Sequence, residues 1–149
     1  MKEKKENKTP QGKVAIKVND AVTAFRLVNP AKLTKMETAE RFAVILATRQ
    51  LKKVSEDFEG LLKDAQEKLK PEGFDAIVEK VQGKKELTPS EQDALNKYNQ
   101  DVSDCVKSEL DKYVELDFAP LGKEAMERFI DSNDFTIEQI IAVIDVLGE

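Results

Sequence analysis

One stretch of the sequence constrains the fold more than any other: from Thr34 to Lys70 there is no Pro and a single Gly. Apolar residues recur there at alternating steps of three and four positions, which is the heptad spacing of helices that pack nearly parallel or antiparallel. The members of this heptad stripe are Val44, Ala47, Leu51, Val54, Phe58, Leu61 and Ala65. The pattern predicts one long helix with a narrow apolar stripe that another helix must cover.

A second long helix is predicted to begin in the segment "LTPSEQ", Leu87 to Gln92. Thr88 and Glu91 have the spacing of a capping box, and Pro89 suits the first helical position. An apolar stripe then continues to about residue 112 through Leu95, Tyr98, Val102, Cys105, Val106 and Leu110. We therefore expect this helix to return antiparallel along the first and to form a helical hairpin.

The start of the first long helix has a predicted cap and a wide apolar surface. Thr34 and Glu37 have capping-box spacing, so the helix is expected to begin at Thr34. Further apolar residues near this start are expected to lie in the main core; they are Met36, Ala39, Phe42, Ala43 and Leu46.

Two short segments alternate in the manner of strands with one buried face. In "KVAIKVND" the alternating residues are Val14, Ile16 and Val18, and in "YVELDF" they are Val114, Leu116 and Phe118. The two segments are predicted to pair in a small ribbon that helices cover. Asn19 or Asp20 is expected to cap a short helix after the first strand.

Two short helices are predicted to close the chain, at "KEAMERFI" and "FTIEQII". Thr136 and Gln139 have capping-box spacing in the second. The wide apolar face of that last helix, which predicts that it is docked on the core, consists of Ile137, Ile140, Ile141, Ile144 and Leu147.

The predicted fold class is α+β and mostly α, a long antiparallel helical hairpin with a small two-stranded β-ribbon and short helices at its base. Residues 1–12 are expected to be a disordered basic tail, and residues 13–149 a single domain. Within that domain the hairpin arm spans about residues 35–112, and the base comprises residues 13–34 and 113–149.

Composition argues against catalysis and metal binding. The chain has no His, and Cys105 is its only Cys. It therefore lacks the commonest general base near neutral pH and cannot build a structural zinc site or an internal disulfide, and a lone Cys fits a reducing compartment. We expect a protein that is not an enzyme, with no cofactor and no catalytic or metal-binding residue.

Residues that could carry chemistry have simpler interpretations. Cys105 lies on an apolar stripe, which favours a buried small side chain over a nucleophile. The segment "DSND", Asp131 to Asp134, lacks the Gly and the final Glu of a calcium loop, so a polar loop is favoured. Glu115 and Asp117 share one face of a strand without a third ligand, which favours a solvated face.

The start of the chain is basic, although the whole chain has a net charge of -5. Met1 to Lys13 contains five Lys and two Glu. Non-specific contact with nucleic acid through this tail is the most that we expect, since aromatic residues do not interleave with the Lys. No apolar segment suits a membrane span or a signal peptide. The expected location is the cytoplasm of a bacterial host cell or a virion.

The best candidate contact patch lies near the tip of the hairpin, where intramolecular cover is expected to be smallest. Its residues are Phe74, Ile77, Val78 and Val81. They could bind the helix of a protein partner or mediate self-association.

The segments "AFRLVNPAKL", "LNKYNQDV" and "KYVELDFAPL" occur in an order that resembles a family of small uncharacterised proteins encoded by tailed bacteriophages and prophages. The resemblance covers about residues 14–130. The break at Lys70 to Gly73 and the well-formed last helix depart from it. It implies a minor structural protein or an assembly chaperone, with no active-site residues to assign. The alternative is a bacterial regulatory adaptor that binds a protein or nucleic acid through its Lys-rich N-terminal tail.

Overall fold

The structure, a computed structural model, describes residues 13–149, so the predicted disordered tail over residues 1–12 lies outside it. The elements are β1 (Lys13–Lys17), α1 (Val18–Val28), α2 (Thr38–Leu69), α3 (Phe74–Gln82), α4 (Pro89–Leu110), β2 (Tyr113–Asp117), α5 (Lys123–Asp131) and α6 (Ile137–Leu147). The predicted class, α+β and mostly α, is confirmed. The long helices α2 and α4 correspond to the two predicted arms.

The chain forms two compact units. Phe58–Leu110 is one of them, and the described residues up to Asp57 form the other together with Asp111–Glu149. The single domain over residues 13–149, with its arm and base, stays a prediction.

The predicted ribbon is confirmed. β1 and β2 pair antiparallel, with Val14 opposite Leu116 and Ile16 opposite Val114. Ile16 and Leu116 are buried because alternate residues of a strand face the same side of the sheet.

The helix after β1 begins earlier than predicted. Val18 opens α1 instead of extending the strand, and its N–H donates to the carbonyl of Lys112 at 2.8 Å. The prediction that Asn19 or Asp20 caps this helix is therefore wrong. A backbone carbonyl from the segment before β2 satisfies the first N–H of the helix. The side chains of Asn19 and Asp20 lie within α1 and are exposed.

The core of the larger unit lies between α1, α5, α6 and the first half of α2. α1 packs against α6, and the Phe129 ring of α5 lies edge-on to Phe135 with centroids 5.7 Å apart. The predicted capping box of Thr136 and Gln139 is present at the start of α6. Residues buried from the three short helices include Val18, Ala21, Val22, Met126, Phe129, Val143, Val146 and Leu147.

The heptad stripe is the buried face of α2, as predicted; its members are all buried except the half-buried Leu61. The predicted start is wrong, however. α2 begins at Thr38, and the N–H of Glu37 donates to the Glu40 carboxylate at 3.0 Å, so the contact at the helix start lies about one turn later than Thr34 and Glu37 suggested.

The core prediction is also wrong for Phe42 and Leu46, whose side chains are 60% and 39% exposed, and for Ala39, which is exposed. At about 100° per residue, Phe42 lies half a turn around the helix from Leu51, a buried member of the heptad stripe. Phe42 and Leu46 therefore face away from the core, while Met36 is buried as expected.

In the smaller unit, α3 packs against the first half of α4. The Phe74 and Tyr98 rings lie 4.6 Å apart, and Lys80 Nζ donates to Glu91 at 2.8 Å. The predicted capping box is confirmed, because Glu91 also accepts from the Thr88 N–H and donates its own N–H to Thr88 Oγ1. The apolar residues of the α4 stripe are half-buried.

Candidate interaction surface

The patch predicted at the hairpin tip is largely occupied by the fold. Ile77 is only 3% exposed, and Phe74 stacks on Tyr98. Val78 is half-buried, so Val81 is the member of the patch that is exposed. Ile77 lies in the interior of its own unit and does not offer a surface to a partner; a contact role at this tip stays a prediction for Val81.

The residues considered for chemistry are dispersed. Cys105 is half-buried on α4, while Glu115 and Asp117 are exposed on β2. Within residues 13–149, no three or more Cys, Asp or Glu side chains come together in a way that could hold a metal ion.

The polar segment "DSND" anchors one loop to another. Asn133 Oδ1 accepts from the Lys32 N–H at 2.8 Å, and Asn133 Nδ2 donates to the Lys32 carbonyl at 2.9 Å. Ser132 Oγ accepts from the Lys35 N–H at 2.9 Å. These side chains hold the connection between α1 and α2 against the end of α5, which explains their polarity without a calcium ion.

An ion pair fixes the start of α2 against α5. Arg128 Nε donates to Glu40 at 2.8 Å, and a second guanidinium nitrogen donates to the other carboxylate oxygen. The Arg128 hydrogen bonds, aided by the Glu37 N–H, lower the pKa of Glu40 from 4.5 to about 2. A bidentate pair of this kind sets orientation as well as charge. It therefore fixes the orientation of the first turn of α2 relative to α5.

α6 presents a row of exposed apolar side chains, which we name the isoleucine face: Ile137, Ile141 and Ile144, at 78%, 53% and 42% exposure. They recur at steps of four and three along the helix, so they lie on one side of it. Glu138 and Asp145 are exposed beside them. Ile141 also borders a depression of about 230 Å³ between α1 and α6, to which Asp20, Glu138 and Asp145 contribute.

α2 presents a second exposed row, which we name the basic face: Phe42, Ile45 and Leu46, followed by Arg49, Lys52 and Lys53. Ile45, Arg49 and Lys52 border a depression of about 210 Å³ that the connection between α1 and α2 completes. Both rows belong to the larger compact unit.

Sequence reasoning identified the isoleucines but assigned them to the core. An excess of apolar positions could have shown that some of these isoleucines are exposed. Between Ile137 and Leu147, apolar residues occur all around the helix. A short helix on the surface of a small unit can bury only one side. The buried side consists of Val143, Val146 and Leu147, and the other side remains exposed.

Comparisons with known proteins do not assign a function to the chain, so a functional proposal depends on the surfaces described above. No protein-family model matches the sequence, and no curated protein or solved structure gives a significant match. None of the helices in the described part of the chain combines the length and apolar character that crossing a membrane requires.

Proposed function

We propose that this protein is a non-catalytic protein-interaction or assembly protein that binds a partner through the isoleucine face of α6. The observation that carries the proposal is the exposure of three isoleucines in one row on one short helix. Single exposed apolar residues are normal on any surface, whereas a contiguous row with a polar rim marks an interaction site.

The spacing of the row supports a helical or grooved partner. Residues Ile137, Ile141 and Ile144 have the i, i+4, i+7 pattern by which an amphipathic helix anchors itself in an apolar surface. The carboxylates of Glu138 and Asp145 lie along the rim, where charge contributes to orientation and specificity more than to affinity.

The resemblance to phage- and prophage-encoded proteins narrows the proposal to a minor structural protein or an assembly chaperone. In this proposal the protein acts in the cytoplasm of a bacterial host cell or as a component of a virion. The predicted hairpin of α2 and α4 is proposed as a second contact element, with Val81 of α3 as the exposed apolar residue at its predicted tip.

Site-specific photo-crosslinking in bacterial cells tests the proposal. The full chain is expressed with benzoylphenylalanine in place of Ile141, and a matched control carries it in place of the exposed Ser108 of α4. We expect a discrete covalent adduct from position 141 and none from position 108. Equal adduct patterns from the two positions, or no adduct from either, would show that the isoleucine face binds no protein.

A further inference from the structure

We propose that the isoleucine face binds the basic face of α2 in a second copy of this chain. The inference rests on the proposed function, because it names the partner of the same surface.

The isoleucine face and the basic face are flanked by residues of opposite charge on their own helices. α6, from Ile137 to Leu147, contains Glu138 and Asp145 and neither Lys nor Arg. The segment of α2 over residues 42–53 contains Arg49, Lys52 and Lys53 and neither Asp nor Glu. Within these two helical segments the charged residues beside the exposed apolar rows are therefore of opposite sign; outside them, Lys123 borders Ile144 and the exposed Glu56 follows Lys52 by one turn.

Charge also selects which faces pair. If the isoleucine faces of two copies met, Glu138 and Asp145 would be brought close to the same carboxylates of the other copy. If two basic faces met, the cations would be juxtaposed in the same way. Like charges across an interface are strongly unfavourable, whereas a contact between one face of each kind pairs opposite charges. The favoured contact therefore joins the isoleucine face of one copy to the basic face of another. This contact occurs twice in a closed dimer, or once between each pair of neighbours in a ring.

The surfaces also match in form. Each face exposes three large apolar side chains on one side of a helix, and each borders a depression, of about 230 Å³ beside Ile141 and about 210 Å³ beside Ile45. Each face therefore combines protruding apolar side chains with a depression beside them. A standard interface buries about 800 Å² per partner, so a closed dimer that uses both faces of each copy is favoured over one isolated contact.

Sedimentation velocity of the full chain, over roughly 5 to 500 µM, covers the range of a weak self-association. Arg49→Glu replaces one of the three cations of the basic face with a carboxylate. Asp145→Lys replaces one of the two carboxylates of the isoleucine face with a cation, near the C-terminal end of a helix, where a cation is favourable. Lys63→Glu, at an exposed position further along α2, is the matched control with the same change in net charge as Arg49→Glu.

We expect the wild-type chain and Lys63→Glu to associate with increasing concentration. Each of the two face variants should associate about tenfold or more weakly. An equimolar mixture of Arg49→Glu and Asp145→Lys should regain association, because one contact of the mixed complex is then the unmodified pair of faces and the other joins the two substituted faces, whose new charges are opposite.

Two results would overturn the inference: face variants that associate as the wild type does, or a mixture that stays as weak as its components. A wild-type chain that remains monomeric over the whole range would overturn it as well. If position 141 then still forms an adduct with a different protein in cells, the proposed function stands and only the identity of the partner is wrong.

Discussion

The opposite sides of α6 should respond very differently to truncation. Val143 is 0% exposed, and changing it to Ala removes about two methylene equivalents at about 0.8 kcal/mol each, to which a cavity term is added. We expect Val143→Ala to cost ~2 kcal/mol. Ile137→Ala removes about three equivalents, but Ile137 is 78% exposed, so the expected cost is ~0.5 kcal/mol.

Urea unfolding followed by circular dichroism measures both costs. The samples should be dilute enough to suppress association, since binding adds to apparent stability. Both substitutions introduce the residue with the highest helix propensity, which offsets each loss by a few tenths of a kcal/mol and preserves the difference. An Ile137→Ala variant that loses as much stability as Val143→Ala would refute the conclusion that Ile137 lies outside the core.

Two further sets of substitutions test contacts within the larger unit, which carries the isoleucine face. A Cβ at Gly148 would lie 2.7 Å from the carbonyl oxygen of Ile144, whereas a Cβ at Gly122, the N-cap residue of α5, would meet open space. Gly148→Ala should therefore lower the melting temperature more than Gly122→Ala, whose cost is only that of a less favourable N-cap residue; equal values by scanning calorimetry would contradict this. Because the pKa of Glu40 is lowered from 4.5 to about 2, its ionised form stabilises the fold above pH 4.5, and this contribution is lost as the pH falls towards 2. The stability difference between the wild type and Glu40→Gln, from urea titrations at several pH values, should therefore shrink over that range, and a constant difference would argue against the pairing with Arg128.

The elements of this fold could be predicted from the sequence because their signals are local. The heptad stripe identified the buried face of α2, and two capping boxes identified the starts of α4 and α6. Alternation identified both strands, whose pairing of Val14 with Leu116 follows from burying the same side of each.

The errors arose where the deciding contact comes from elsewhere in the chain. The Lys112 carbonyl replaces a side-chain cap at the start of α1, and Glu40 serves both the first turn of α2 and Arg128 of α5. Neither contact leaves a pattern in the residues beside it.

The exposed faces were missed for a different reason. A periodic pattern shows which residues share a side of a helix, but it does not show how many sides the fold covers. Phe42 and Ile137 therefore resembled core residues, while Ile77, expected at a surface, is covered within its own unit.

The most direct test of the isoleucine face is the yield of the position-141 crosslink in a chain that also carries Ile137→Asp. Ile137 is 78% exposed, and an acidic residue is favourable in the first turn of a helix, so this variant should fold normally. A charge within an apolar contact is costly unless it is paired. The account predicts that the adduct is lost while the circular dichroism spectrum is unchanged; an adduct formed at the yield seen without Ile137→Asp would contradict it.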